Sequence, residues 1–533
     1  MPFAGRLDPP HPRAMRPTLL LALLCSLVGS AAEPTRPNVL FLIADDWGRG
    51  HAGAYGCSWV KTPNFDRVAK EGLLFLNAYT PTAKCTPSRS TILTGRHPWL
   101  LGAAANHQCV FPPEFAIFPD VLEQHGYAYA TTGKVWAPGL ALKADGSPRA
   151  MAGKQFNQKK AKPPTTGISP NDYSGNFEAF LAQAKPGQPW FFWLGSIEPH
   201  REYEEGSGAR LGGKKTTDID RVPAYWPDNE TIRGDLLDYA YEVEHFDRHV
   251  GRALALLEKT GQLENTIVVV TSDNGMPFPR VKGSAYENAN HLPLAIRWPK
   301  GIRNPGRKVT DYVSFVDFAP TFLEAAGITW PTTGALAPTS GRSLSDIFQS
   351  GVDGRSNPTR DHTLIGRERN DLGRPGDAGY PIRGIVKDGL AYLENAEPSR
   401  WPACNPETGY LDTDASPTKS FILHARREKG SDPFWELCFG MRPAQELYDL
   451  NTDSDCVKNL AQTRGADLEK LRSQMWAELK AAGDLRAVGR GAEYEAHPSA
   501  DKKKLRFYER YMGGELLDAS WVKKDDFEKA PLK

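Results

Sequence analysis

The sequence predicts an α/β protein, with a large mixed, mainly parallel sheet flanked by helices and a smaller C-terminal α+β subdomain. Three observations carry this: continuous apolar runs recur, each ends in polar or charged residues, and amphipathic helical stretches lie between them. The first run, 39–44, is entered through Pro37-Asn38 and left through Asp45-Asp46. An unbroken apolar stretch of this kind reads as a strand buried on both faces. A strand over 127–130 precedes Gly133-Lys134; another over 190–194 ends in Glu198-Pro199-His200; a third over 266–271 ends in Asp273-Asn274. Open α/β sheets bind ligands beyond the carboxyl ends of their strands, so these ends mark the functional edge. Between them, 236–259 sets Leu237, Ala240, Tyr241, Val243 and Phe246 at helical spacing. The stretch 311–323 starts as a strand and becomes a helix closed by Gly327, and the Pro/Gly/Ser-rich stretch 328–354 reads as a connector. Short strands follow at 384–386, 390–393 and 446–450, then a helix near 468–482 and a charged, poorly periodic tail over 501–533. The expected organisation is a signal peptide over 1–32, an N-terminal catalytic domain over 33–355, and a smaller subdomain over 356–533.

Charge is balanced, with 65 Lys and Arg against 64 Asp and Glu, so the basic footprint of a nucleic-acid binder is missing. The 43 prolines and 49 glycines fit an enzyme with many loops better than a helical bundle. Arg13 and Arg16 precede an apolar run over 19–28, which exits through Gly29-Ser30-Ala31-Ala32. That pattern is a cleaved secretory signal, and the run falls short of the roughly 20 apolar residues of a bilayer span. The mature chain is expected to be secreted or periplasmic, without a stable membrane span, and to begin near Glu33. Cys25 leaves with the signal. Of the others, Cys57, Cys109, Cys404, Cys438 and Cys456 are available for pairing, with Cys438 and Cys456 the expected disulfide.

The remaining cysteine stands in Cys85-Thr86-Pro87-Ser88-Arg89, followed by Ser90-Thr91-Ile92-Leu93-Thr94-Gly95-Arg96. This string resembles the maturation signature of the type I sulfatases, in which the cysteine is oxidised to formylglycine (3-oxoalanine). Asp45, Asp46, Asp273 and Asn274 supply three carboxylates and an amide from two strand ends, an oxygen set suited to a hard cation such as Ca²⁺. The resemblance to type I sulfatases of the alkaline phosphatase superfamily extends over 38–46, 85–96, 126–134, 198–200, 267–275, 313–327 and 446–460. It implies the alkaline phosphatase-like fold, Cys85 as nucleophile and metal ligand, and Asp45, Asp46, Asp273 and Asn274 as Ca²⁺ ligands. Arg89, Lys134, His200 and Lys282 become sulfate-site residues, with His200 as general acid. A hydrated formylglycine is a geminal diol: one oxygen attacks sulfur, and the other allows the sulfate to leave by elimination. A formylglycine-generating enzyme is the implied maturation partner.

Asp273-Asn274-Gly275-Met276-Pro277-Phe278-Pro279 and Glu198-Pro199-His200-Arg201 are most similar to the heparan N-sulfatase (sulfamidase) branch. The substrate this implies is a sulfated oligo- or polysaccharide, either N-sulfoglucosamine or an algal polysaccharide sulfate. Two competing readings are a phosphodiesterase or phosphonate hydrolase of the same superfamily and a non-catalytic binder of sulfated glycans. The second is motivated by a departure from the pattern. Where the family reads Gly-Lys-x-His, this chain reads Gly133-Lys134-Val135-Trp136, and His107 is the expected substitute for the missing base. Arg280 competes with Lys282 for its role.

Overall fold

The protein is described here by a computed structural model, covering residues 1–10, 36–330 and 338–532. Residues 1–10 are exposed and carry no regular secondary structure. The expected signal-peptide core and its exit lie outside the described residues. Residues 36–533 form one compact unit.

The main sheet contains β1 (Asn38–Ala44), β2 (Leu73–Tyr79), β3 (Ala128–Gly133), β4 (Lys154–Gln155), β5 (Trp190–Gly195), β6 (Thr266–Ser272), β7 (Leu294–Arg297) and β8 (Arg307–Ser314). Their order is β8-β2-β7-β6-β1-β5-β3-β4, and β7 alone runs against its neighbours. This is the mainly parallel sheet the apolar runs predict. Alternation along each central strand explains why these runs are unbroken. Leu40, Leu42 and Ala44 enter one core with Phe192, Leu194, Val268 and Val270. Val39, Phe41 and Ile43 enter the opposite core with Phe191, Trp193, Ile267 and Val269. Successive side chains point to opposite faces, and each face is covered, so no position faces water.

One face packs on a long helix over Glu230–Lys259, whose Ile232, Leu236, Ala240, Val243, Val250 and Leu254 are buried. The sequence places its start six residues late, because the first turns carry polar residues and are fixed by a cap: the Asn229 side chain accepts from the Ile232 backbone N–H. The other face packs on Phe318–Ala325, reached from β8 through a short 3₁₀ turn. Residues read as a connector include a helix over Ser345–Ser350, whose Ile347 and Phe348 pack into that second core. A second, antiparallel sheet of β9 (His362–Arg367), β10 (Ile382–Lys387), β11 (Leu390–Asn395) and β12 (Gln445–Asp449) packs on a helix over Gly465–Ala482. The expected Cys438–Cys456 disulfide is not formed, since both are free, buried thiols. The Cys438 sulfur instead contacts the Tyr225 carbonyl at 3.4 Å. No helix among the described residues is long and apolar enough to cross a membrane.

Where β3 and β5 end side by side, Gly133 pairs with Gly195. The Lys134 N–H donates to the Gly195 carbonyl at 2.8 Å, and a Cβ on Gly195 would stand 1.8 Å from the Lys134 carbonyl oxygen. Gly195→Ala must therefore push the backbone of Lys134 away from the strand end. We expect a loss of about 1–3 kcal/mol, read as a lowered urea midpoint with an unchanged slope.

Candidate active site

Parallel pairing of β1 with β6 in the register Ala44 to Ser272 sets Asp45-Asp46 and Asp273-Asn274 side by side. All four side chains are fully buried. Asp46 takes a left-handed backbone conformation, φ 75°, which aspartate tolerates better than most residues. Its N–H donates to Asp273 Oδ1 at 3.1 Å, and the next N–H, of Trp47, donates to Ser272 Oγ at 2.7 Å. The two strand ends are thus tied by their own backbone.

Cys85 opens a helix over Cys85–Thr94 in which every residue is buried. The helix has no polar face because it lies inside the protein. Its hydroxyls turn back on their own backbone: Ser90 to the Thr86 carbonyl, Thr91 to Pro87 and Thr94 to Ser90. Gly95, at φ 65°, caps it with an N–H to the Thr91 carbonyl. Ser88 Oγ donates to the Asp273 carbonyl at 2.6 Å, pinning the helix to the end of β6. The Cys85 sulfur consequently lies 3.4 Å from Asp45 Oδ1. Burial first, then the Asp45 charge, push its thiol pKa up.

Arg89 sits at the centre of this cluster. Its Nε donates to Asp273 Oδ2 at 2.7 Å, Nη1 to the Lys134 carbonyl at 2.8 Å, and Nη2 lies 3.5 Å from Asp45 Oδ1. Lys134 Nζ holds Asp45 Oδ2 at 2.5 Å, and Lys282 Nζ holds Asp46 Oδ2 at 2.7 Å. Burial works against the charge on Asp45, but Lys134 and Arg89 overcome it and hold its carboxyl well below the usual range. Burial pushes Asp273 up to about 7, with Asp45 and Asp46 adding to the shift against the pull of Arg89 and Lys134. The three carboxylates are thus matched by three cations, Arg89, Lys134 and Lys282.

The donor set also leaves one oxygen unsatisfied. Asn274 Nδ2 is engaged by Asp46 Oδ1 and the Gly275 carbonyl, while its Oδ1 is buried without a hydrogen-bond partner. An orphaned carbonyl oxygen among Asp45, Asp46 and Asp273 fits a hard divalent cation such as Ca²⁺. Oxygens of Asp45 and Asp273 and the Cys85 sulfur also converge within 4.8 Å.

The remaining expected residues fall around the same cavity, of about 670 Å³, which Cys85, His107, Lys134, His200 and Lys282 line together. His200 Nδ1 meets the Arg201 carbonyl at 2.6 Å, and Nε2 lies 3.9 Å from Asp46 Oδ2. Arg280 does not compete with Lys282. Its guanidinium reaches the carbonyls of Leu437 and Cys456 and stacks over the Tyr286 ring, turned away from the acidic pairs. Trp136 is half-buried, donates its indole N–H to Ser90 Oγ at 2.8 Å, and lines a different cavity with Arg149 and Gln155.

Three site residues escaped the sequence reading. Asp414 bonds Lys282 Nζ at 3.1 Å, and burial notwithstanding, Lys282 and Lys84 hold its carboxyl well below the usual range. Lys84 pairs with Asp371 at 3.0 Å, and Asp371 in turn lies 3.2 Å from His107 Nδ1. Lys84 directly precedes the cysteine motif and was the one signal available. Asp371 and Asp414 come from the C-terminal part of the chain, where no motif marks them.

The sulfatase family model matches residues 37–328, more than half of the chain. The human N-sulphoglucosamine sulphohydrolase is 28% identical over 493 residues, covering 85% of this chain and 91% of that protein. An ulvan-active sulfatase of Formosa agariphila is 26% identical over 487 residues, covering 85% of this chain and 76% of the relative. Among solved structures, BT4656 in complex with its substrate D-glucosamine-2-N,6-O-disulfate has the same fold, with a TM-score of 0.56 at 19% identity, covering 88% of this chain and 100% of that one. The alkaline phosphatase-like architecture, the converging acidic pairs around Cys85 and the family match agree: the chain belongs to the sulfatase family, and is a sulfuric ester hydrolase.

Proposed function

We propose that this sulfatase removes sulfate, as an ester or an N-sulfate, from a sulfated carbohydrate, with Cys85 matured to formylglycine and Ca²⁺ held by Asp45, Asp46, Asp273 and Asn274. The observation that carries this is Cys85 at the start of a buried helix, 3.4 Å from an aspartate whose other oxygen is clamped by Lys134. The relatives named for N-sulphoglucosamine and ulvan support a sulfated saccharide as the substrate class. The apolar run over 19–28, preceded by Arg13 and Arg16 and followed by small residues, supports export as a signal peptide over 1–32, with maturation by a formylglycine-generating enzyme on the way.

When bound, Ca²⁺ would lower the pKa of the attacking hydroxyl and offset charge on the sulfate oxygens. The hydrated aldehyde would supply one oxygen for attack and one for release. The chain's own residues do the rest. Arg89 fixes Asp45 and Asp273 relative to residue 85. Lys134 and Lys282 keep their protons, since their aspartate partners outweigh the effect of burial, and both line the cavity over Cys85, where they could offset charge on a bound sulfate. The Arg201 carbonyl can only accept, so His200 Nδ1 carries a proton and Nε2 is left as the ring atom that, in the imidazolium form, would give a proton to the leaving oxygen or nitrogen.

Release needs a base for the remaining hydroxyl proton of residue 85. Trp136 offers only a donor, already given to Ser90. His107 lines the same cavity as Cys85, and its Nδ1 faces Asp371. Burial tends to raise the Asp371 pKa, but Lys84 and His107 overcome that, so it stays ionised and accepts from Nδ1. That leaves His107 Nε2 with a free lone pair. Burial, despite Asp371, lowers the imidazole pKa, so it is neutral near pH 7 and takes the proton.

Mass spectrometry of the peptide containing residue 85 should show an aldehyde in place of the thiol. Cys85→Ala should keep its circular dichroism and lose sulfate release. Hydrolysis of 4-nitrophenyl sulfate should exceed that of bis-4-nitrophenyl phosphate by orders of magnitude, and the reverse preference would sink the sulfatase reading in favour of a phosphodiesterase. Chelation should lower the thermal midpoint and added Ca²⁺ should restore it; Asn274→Ala should lose most of that restoration. His107→Ala should slow turnover roughly 10²–10⁴-fold and leave sulfate on the residue-85 peptide after a single turnover. A His107→Ala protein that turns over normally would remove His107 from the mechanism.

A further inference from the structure

The cavity over Cys85 is not walled by the family-matched residues alone. Ala500, Asp501, Lys504, Ser520 and Trp521 also line it, well beyond the matched stretch 37–328. This part of the charged tail is stitched down at two points. The Ala500 N–H donates to the Gln108 carbonyl at 2.7 Å, and Ser499 bridges Cys109. The Trp521 indole N–H donates to the Leu411 carbonyl at 2.8 Å, and its own carbonyl accepts from the Ala415 N–H at 2.7 Å. One anchor is next to His107 and the other next to Asp414, both in the same cavity.

Four lysines line this cavity, and three are tied to buried carboxylates: Lys84 to Asp371, Lys134 to Asp45, and Lys282 to Asp46 and Asp414. Lys504 differs. Its carboxylate partner, Asp501, is three residues back on the tail at 3.4 Å and is 30% exposed. Such a solvent-accessible pair is weak and exchanges readily for another anion. The ammonium lies 3.6 Å from the centroid of the Trp521 ring, which holds it at the cavity wall. Trp521 lines the same cavity, with its indole N–H turned to Leu411.

We propose that Lys504 and Trp521 form a saccharide subsite: Lys504 reads a second anionic group, a carboxylate or another sulfate, near the sulfate to be removed, and Trp521 covers an apolar face of the sugar. This deepens the sulfated-carbohydrate reading and rests on it. A cavity of about 670 Å³ is within the range of small-ligand sites and leaves room for sugar beyond one sulfate group.

The test is calorimetric binding to Cys85→Ala protein, which cannot turn over. The probes are glucosamine 2-N-sulfate, glucosamine 2-N,6-O-disulfate, and a disaccharide of glucosamine 2-N-sulfate with a neighbouring uronate. At least one doubly anionic probe should bind about tenfold tighter than the first. K504M should abolish that preference, Lys504→Arg should keep it, and W521A should weaken all three probes by similar factors. The preference should also shrink as salt is raised, a readout that needs no variant. Whichever doubly anionic probe loses its advantage identifies a carboxylate or a sulfate as the group read. Equal affinities for all three, no binding of any, or a preference that K504M leaves intact would overturn the subsite. Failure of the unaltered protein to release sulfate from any saccharide would instead strike the parent reading, with the binding preferences still deciding the subsite.

Discussion

The guanidinium of Arg89 is the interaction on which the site depends. Asp45, Asp46 and Asp273 converge because parallel strands end together, and the backbone leaves them nowhere else to go. Packed carboxylates without a counter-charge would drive the strand ends apart or force protons onto the cluster. A single planar cation reaches Asp273, Asp45 and the Lys134 carbonyl at once, joining the ends of β6, β1 and β3 to the helix that carries Cys85. Lysine could not reach the same acceptors, since its three N–H groups share one nitrogen, whereas the guanidinium spreads its donors over three. The pentapeptide that opens with Cys85 therefore contains a structural requirement of the folded site: Arg89 lies one helical turn beyond Cys85, on the same side.

How much of this could be read from the sequence followed the chemistry of each region. Strands buried on both faces leave unbroken apolar runs, and their ends announce themselves as Asp45-Asp46, Asp273-Asn274 and His200. The edge strand Arg307–Ser314 mixes polar residues into its run, and Leu73–Tyr79 beside it is interrupted by Asn77, so both are less visible. Asp371 and Asp414 were invisible for a different reason. They sit in irregular stretches and act only after folding brings them to Lys84 and Lys282, so no periodicity or spacing records them. The same holds for the tail, whose short elements set Phe507 and Ala519 against Cys404 and Leu411 and so leave no long period to read.

The Trp136 position shows how a departure from a family pattern can be resolved in space. Read linearly, it removes a base. In the fold the indole packs against Phe111 and Ser90, outside the cavity, and so neither blocks the nucleophile nor replaces the lost histidine. The Lys84–Asp371–His107 chain lines the cavity instead: Lys84 is the residue before Cys85, Asp371 and His107 come from elsewhere, and the His107 N–H donates to the Arg369 carbonyl at 2.9 Å. In the proposed mechanism, proton transfer then falls to a residue outside the segment that carries Trp136.

Complete burial of the Cys85–Thr94 helix has a consequence for how active molecules arise. Under the maturation proposed for Cys85, the modifying enzyme has to reach residues that are helical and sealed in the folded protein, with Cys85 only 2% exposed. Conversion and folding would then compete for the same nascent chain. The fraction of competent enzyme would be set by the relative speeds of the two events, and a molecule that folds first would remain a thiol. Slow, non-local assembly of a parallel sheet would lengthen the interval in which the motif is open. The topology that builds the site would also keep it available for modification.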